Sequence, residues 1–414
     1  MISAHTTRDV GIAGFGALVL FLILSWPASE TSSPYPYPRP LQSAADTLKG
    51  AGSASDLAQD IIGFRAMVRQ DNAYPILGLA GKALGLEWPV AHVSTHPPTA
   101  FVLVAPIAFL PWPLAAMIWA WLMLGLLACA FRLYGLSWLA ALGLTPIALL
   151  WPPVSTSLGQ FTIIWLFGLA VGHRYMRRNY LLSGVGIGLA ALTKLIPGVM
   201  IILFLSKRRW HAILGIALVG VVSLASAVLL SPDVIYQYVQ ANRLNSITMM
   251  LREDNASLLG TGYRWGGGWG VIPVFMFLAL IVWANRRAVC EESTLLPSTT
   301  LWMLLTYVSV ALLPLSWIYS LTPLLPVIVF LVAKGKLSTL CIGLCCIGIP
   351  WFVPIWGPRS VLPLVLVNIL IGVGLIVDAS PSRLLTARSL RTLRARPREK
   401  SRSRQSGDGR RPRR

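Results

Sequence analysis

Runs of about 15–20 apolar residues recur along the chain, separated by short clusters of Lys and Arg, and this pattern most limits what it can fold into. Inside hydrocarbon every backbone amide and carbonyl must find a partner within the protein, which leaves α-helices and closed β-barrels. A barrel needs strict apolar–polar alternation, and the runs lack it. The expectation is an all-α integral membrane protein. Apolar residues fill 55% of the 414 positions and charged residues 12%, a balance that a water-soluble domain could not hide. The first run, Val10 to Pro27, is followed by Glu30 and a Ser/Pro/Tyr stretch rather than a convincing cleavage site, so it reads as a retained first helix.

Basic clusters orient the helices, because Lys and Arg favour the cytoplasmic side. Arg174–Arg178, Lys207–Arg209, Arg286-Arg287, Lys334/Lys336 and the C-terminal tail are assigned inside. Working back from the tail, apolar runs at 360–378, 338–356, 319–333, 299–315, 269–284 and 211–230 alternate cleanly and place an external loop at 231–268. Residues 181–206 have basic flanks on both sides, so they hold two short helices meeting at Thr193-Lys194-Leu-Ile-Pro197-Gly198, where Pro lacks a donor and Gly frees the turn. Of the pieces 98–110, 114–131, 138–152 and 159–173, the first is short, ends at Pro111-Trp-Pro113 and is expected not to cross.

The sum is about twelve spans (range about 10–13) in the plasma membrane, with both termini cytoplasmic. The polytopic domain covers 1–378, and its long first external loop, 28–97, is expected to carry short amphipathic helices. Residues 379–414 form a separate tail. From Arg383 onward it has thirteen Lys or Arg against Glu399 and Asp408. That composition predicts a disordered cytoplasmic segment touching anionic lipid; without interleaved aromatics it does not support nucleic-acid binding.

The carboxylates are unevenly placed. None of the fifteen lies well inside an apolar run, and Glu30, Asp46, Asp56, Asp60, Asp71 and Glu87 share the first loop. Asp56 is the foremost catalytic candidate, although Ser53-Ala-Ser55-Asp56 also suits a helix cap. Lys194 puts an ammonium among apolar helices, which is expensive and points to a role, unless the side chain snorkels to the interface. Arg65, Arg69, Arg243, Arg252 and Arg264 are candidate anion contacts or solvated loop cations, and Arg65 and Arg69 would share one helix face. Gln160 can hydrogen-bond a ligand, or Gly159-Gln160 can end a helix.

Other patterns have plainer readings. His92 and His96 are four apart, but Pro97-Pro98 argues against a helix there, so no metal site is expected. No Cys/His spacing suggests zinc, the five cysteines read as packing residues without disulfides, and no cofactor is implied. Gly184-Val-Gly-Ile-Gly188 is a weak phosphate signal and a better helix-packing one. Asn255-Ala-Ser257 matches a glycosylation acceptor.

Six patterns fall on one face of this topology. They are Asp56-Leu-Ala-Gln-Asp60 through Asp71-Asn72-Ala73-Tyr74; His96-Pro-Pro-Thr-Ala-Phe with Pro111-Trp-Pro113; Ser157-Leu-Gly159-Gln160; Gly184 through Thr193-Lys194-Leu-Ile-Pro197; Asp254-Asn255-Ala-Ser257; and Pro314-Leu-Ser-Trp317. In this order they resemble glycosyltransferase family 87, bacterial polytopic enzymes of the GT-C class that include polyprenyl-phosphate-mannose-dependent mannosyltransferases. The resemblance spans roughly residues 10–380. It implies a GT-C helical bundle and transfer of a hexose, with mannose foremost, from a polyprenyl-phosphate donor to a lipid or envelope-glycan acceptor on the external face. It also implies that Asp56 is the base. Asp60 stands where the family usually has Tyr and is its rival. His96 stands where an aromatic is common. The His that often follows Trp317 in the family is replaced by Ile318-Tyr319.

The chemistry asked of such a site is limited. A lipid phosphate leaves as a stable anion, so it needs a cation where charge builds, for which Lys194, Arg65 and Arg252 are candidates. The acceptor hydroxyl needs a base, and one carboxylate with no covalent intermediate gives inversion. Gln160, His96, Tyr74 and Trp317 are the candidate substrate contacts. Two other readings compete: a secondary transporter, which the absence of acids within the helices disfavours, and a non-catalytic envelope protein.

Overall fold

A computed structural model describes residues 4–25, 40–50, 55–84, 93–205, 208–253, 255–286, 299–314, 316, 318–333, 336–352 and 358–379. The expectations for His92, Cys290, Trp317 and the tail beyond 379 lie outside the described residues. All regular structure within them is helical: α1 (Ala4–Ser25), α2 (Pro40–Leu48), α3 (Ser55–Val68), α4 (Pro98–Leu103), α5 (Trp112–Leu133), α6 (Trp138–Ala148), α7 (Thr162–Tyr175), α8 (Tyr180–Thr193), α9 (Trp210–Leu230), α10 (Val234–Met250), α11 (Leu258–Gly266), α12 (Val271–Ala284), α13 (Thr299–Ala311), α14 (Leu325–Ala333), α15 (Leu337–Gly348) and α16 (Pro358–Ala379), with short 3-10 turns and the single-turn helices Leu77–Ala80, Pro152–Ser155 and Ile201–Leu205 between several of them.

Among the described residues, five stretches are long and apolar enough to cross a membrane: Thr6–Ser25, Trp112–Leu133, Trp210–Leu230, Leu258–Ala284 and Val361–Ala379. A sixth joins α6 to Pro152–Gly159 across a 91° bend. Pro152-Pro153 opens the second limb of that bend, where rings cannot continue the preceding ladder. The count of about twelve is not reached by this measure, because several of the apolar runs form helices of only 10–17 residues, among them α8, α13 and α15. The fourth stretch starts at Leu258, inside the polar loop read from the sequence. Large apolar side chains line the outside of the candidate spans, such as Phe15, Leu18 and Phe21 on α1 and Leu214, Leu218 and Val222 on α9. That surface suits hydrocarbon, where backbone groups are satisfied within each helix.

Small residues bring the helices together. A Cβ on Gly184 would collide with the Ala212 carbonyl of α9, and one on Gly186 would meet Gly168 and Gly172 of α7. The glycine run 184–188 is thus a packing stripe that lets α8 lie close to both neighbours. Gly16 and Gly143 do the same for α1 and α6. The start of α8 is capped by Asn179, whose Oδ1 accepts from Leu182 N at 3.1 Å. Its end is abrupt: Lys194 is extended at φ −150°, ψ 125°, and Pro197 enters the next turn. The expected bend is present, and α4 is pinned to it by a 2.9 Å bond from Thr99 Oγ1 to Leu192 O.

Candidate active site

The first loop carries Asp56 and Asp60 on one helix. Asp56 lies in the first turn of α3 and Asp60 one turn later, so both project from one face. The face is buried through Leu57, Ile61, Phe64 and Met67, which belong to the main core. Between the two carboxylates sits His96. Its Nδ1 is 2.9 Å from Asp60 Oδ1 and 3.0 Å from Oδ2, and its Nε2 is 3.7 Å from Asp56 Oδ2. Asp60 is wholly enclosed, whereas 17% of the Asp56 side-chain surface is open.

His96 is held from several directions. Its amide donates to Ser94 Oγ at 3.2 Å, and its carbonyl accepts from the Tyr74 hydroxyl at 3.0 Å. The ring meets Phe161 edge-on at 5.6 Å, and Phe161 in turn meets Trp119 of α5. Tyr74 makes tilted ring contacts with Phe101 and Tyr238, and Ala73 N donates to Gln237 Oε1 at 2.8 Å. The Asn72-Ala73-Tyr74 turn therefore fastens α3 to α4 and α10. Tyr74 spends its hydroxyl on the backbone behind the histidine, and burial raises its pKa above the usual range.

Burial pushes the Asp60 carboxyl up to about 6 against the opposing pull of His96. Burial also opposes a charge on His96, but the Asp60 carboxylate, the hydrogen bond to it and Asp56 outweigh that and raise the imidazole; Lys194 acts the other way. Lys194 is half-buried at the α8 bend, within electrostatic reach of Asp56 and His96, and its Nζ lies 5.6 Å from the centre of the Tyr319 ring. Gln160 follows the turn that precedes α7 and is next to Phe161; it is 5% exposed, and its Oε1 meets no donor among the described residues.

The other arginine candidates are drawn elsewhere. Arg65 donates from Nε to Ala108 O at 2.6 Å and from an Nη to Leu110 O at 3.2 Å, tying α3 to the turn before α5. Arg252 belongs to a second polar knot, where its carbonyl accepts from Arg264 at 2.6 Å. At the centre of that knot is Asn255, fully buried. Its Nδ2 donates to Pro314 O at 2.9 Å and Met250 O at 3.3 Å, and its Oδ1 accepts from Ser257 N and Ser316 N, each at 3.0 Å. The glycosylation pattern is accordingly closed to modification, and Asn255 and Ser257 of the fifth pattern are joined to Pro314 and Ser316 of the sixth.

An apolar cavity of about 510 Å³ opens beside the charged cluster. It begins at Pro97 and Leu195, the residues that follow His96 and Lys194, and runs between α8 and α9 past Leu192, Val221 and Leu224. Its volume is within the ordinary range of ligand sites, about 300–1,000 Å³. Sequence reasoning had marked His96 and Asp60 separately but not their pairing, nor the approach of Tyr319 to Lys194. An acid one turn after another on α3 was the legible signal; the partner 36 residues on was not.

A helical membrane protein with a partly open carboxylate, a buried carboxylate–histidine pair, a half-buried lysine and an apolar cavity lined by the residues that follow the histidine and the lysine has the make-up of an enzyme acting on an amphiphile. The chain belongs to glycosyltransferase family 87, which it matches over residues 95–314. It is 30% identical over 319 residues to a polyprenol-phosphate-mannose-dependent alpha-(1-2)-phosphatidylinositol mannoside mannosyltransferase of Mycolicibacterium smegmatis, covering 67% of this chain and 70% of the relative. A polyprenol-phosphate-mannose-dependent alpha-(1-2)-phosphatidylinositol pentamannoside mannosyltransferase of the same organism is 27% identical over 303 residues, covering 64% of this chain and 69% of the relative. No solved structure matches the chain. The protein is a membrane glycosyltransferase.

Proposed function

We propose that the chain transfers mannose from a polyprenyl-phosphate-mannose donor to a lipid acceptor of phosphatidylinositol-mannoside type, on the external face of the plasma membrane, with inversion. The printed activities of the two relatives support the donor and acceptor classes. The observation that carries the site is the Asp56 carboxylate, partly open and flanked by His96 and Lys194.

In this reading Asp56 takes the proton of the acceptor hydroxyl as its oxygen attacks the anomeric carbon. Asp60 is the weaker base candidate because it is enclosed and both its oxygens lie on His96. The ammonium of Lys194 offsets the charge of the departing phosphate. Arg65 is set aside, since two of its donors serve backbone carbonyls. Arg252 is retained only as a more distant contact. The isoprenoid tail lies in the apolar cavity beginning at Pro97 and Leu195, which puts the phosphate beside Lys194. The buried Oε1 of Gln160 accepts from a sugar hydroxyl. In the proposed topology of about twelve spans with both termini cytoplasmic, 28–97 and the loop from 231 to the start of the Leu258–Ala284 stretch lie outside, and the 379–414 tail lies against anionic lipid on the inner side.

Radiolabelled polyprenyl-phosphate-mannose, supplied with phosphatidylinositol mannosides to membranes containing the protein, is expected to give a labelled lipid product. Asp56→Asn is expected to remove it at unchanged expression. Full turnover by Asp56→Asn would refute the base, and sugar uptake without any lipid product would favour a transporter.

A further inference from the structure

We infer that the apolar cavity selects a methyl-branched isoprenoid chain over a straight one, and that Gly220 and Ala191 are the residues that set this choice. The inference rests on the reading that the donor's tail occupies the cavity, and adds which tail its walls accept.

The shape comes from the way α8 and α9 separate. At one end the two helices touch: a Cβ on Gly184 would strike the Ala212 carbonyl, and one on Gly215 the Leu181 carbonyl. One turn further on, a Cβ on Gly188 would still crowd Val219 and Ile216. At Gly220 a Cβ would meet no atom within 4 Å. The helices thus bound a wedge, shut near Gly188 and open toward Pro97 and Leu195. From Ile216 to Leu224 the α9 wall is about 12 Å long, at 1.5 Å per residue. That length takes the first few isoprene units and leaves the rest of the tail outside. The mouth opens sideways, since Leu195, Val221 and Leu224 line the cavity and are also exposed on the surface that suits hydrocarbon. An amphiphile can therefore enter from the bilayer without its tail crossing water.

The walls leave room across the chain as well as along it. Ala191 on α8 and Ala217 and Gly220 on α9 are the small residues of the open part. The hydroxyl of Thr99, which α4 brings to the lining, is already bonded to Leu192 O at 2.9 Å. An isoprenoid carries a methyl branch in each five-carbon unit and uses lateral room of this kind. A straight chain leaves it unfilled and forfeits dispersion contacts on that side. Because Pro97 follows His96 and Leu195 follows Lys194, the first branched units fall directly after the phosphate.

The test compares two radiolabelled donors in proteoliposomes of the full-length protein, with phosphatidylinositol mannosides as acceptor. One is the mannosyl phosphate of a polyprenol, the other that of a straight-chain alcohol of equal carbon number. The unsubstituted protein is expected to favour the isoprenoid donor at least about tenfold in kcat/KM, the scale on which a pocket responds to single methylenes. Gly220→Leu fills the lateral room, so this preference is expected to fall by about tenfold or more, chiefly through loss of the isoprenoid donor. Ala191→Leu narrows the wedge from the opposite helix, is expected to act in the same direction, and supplies the answer where Gly220→Leu does not fold. Equal use of both donors by the unsubstituted protein, or an unchanged preference in the folded variants, would overturn the inference. If the unsubstituted protein makes no labelled lipid from either donor, the reading of the donor itself fails. If it does, and Gly220→Leu changes only the KM of the mannoside acceptor, the cavity belongs to the acceptor and the placement of the tail is refuted.

Discussion

The two polar knots of this molecule, one around His96 and one around Asn255, are both buried and both tie distant segments together, yet they are finished differently. Asn255 uses two amide donors and two acceptor positions on backbone groups from 250 to 316, so its hydrogen-bonding capacity is saturated. Arg264 then binds the Arg252 and Asn255 carbonyls above it. The His96 knot is built from charges and is left incomplete: Asp56 is partly open, and the Oε1 of Gln160, the chain neighbour of Phe161, meets no donor among the described residues. A closed neutral network is what a fold needs to hold a loop. An open charged one is destabilising by itself and makes sense where a ligand completes it.

This contrast can be broken by substitution, in descending order of effect. Asp56→Asn should lower mannosyl transfer by about 10²–10⁴-fold, the usual contribution of a general base, with little change in thermal stability. Asn255→Ala should do the reverse: it strands buried backbone groups at about 1–3 kcal/mol each, so the melting temperature in detergent should fall sharply while turnover per folded molecule persists. Lys194→Gln should lower kcat/KM for the donor by roughly 10- to 150-fold, matching the loss of one partly solvated charge contact of about 1.5–3 kcal/mol. Gln160→Leu should lower kcat/KM for the mannosyl donor by several-fold, about 1 kcal/mol, and leave stability equal or higher because no donor among the described residues loses its partner at Oε1. A large stability loss in Gln160→Leu, or a large activity loss in Asn255→Ala at full folding, would erase the distinction between the knots.

How far the sequence could be read follows from the range of each signal. The bend at Lys194 was legible because Pro197 and Gly198 act on their own backbone. The packing role of Gly184, Gly186 and Gly188 was legible for a similar reason: small residues at short spacing leave room along a helix face. Pro111-Trp-Pro113 marked the end of the apolar piece 98–110, but α4 itself stops earlier, at Leu103, and Pro106 lies in the 3-10 turn that follows. The span count was less legible, since helices of 10–17 residues satisfy an apolar pattern without the length to cross alone. Arg65 shows the limit for side chains: nothing in its neighbours indicates that its guanidinium reaches carbonyls 43 and 45 positions away.

What the chain determines by itself is solvent and local shape: runs of apolar residues demand a bilayer and helices, and prolines and glycines set where these stop. Which carboxylate stays open and which is locked to a histidine was decided only by tertiary structure. Asp56 and Asp60 are chemically identical and one turn apart. Their difference arises from His96, brought between them from 36 residues beyond Asp60 by the packing of Tyr74, Phe161 and α4. Electrostatic environment depends on distance in space, which sequence separation does not encode.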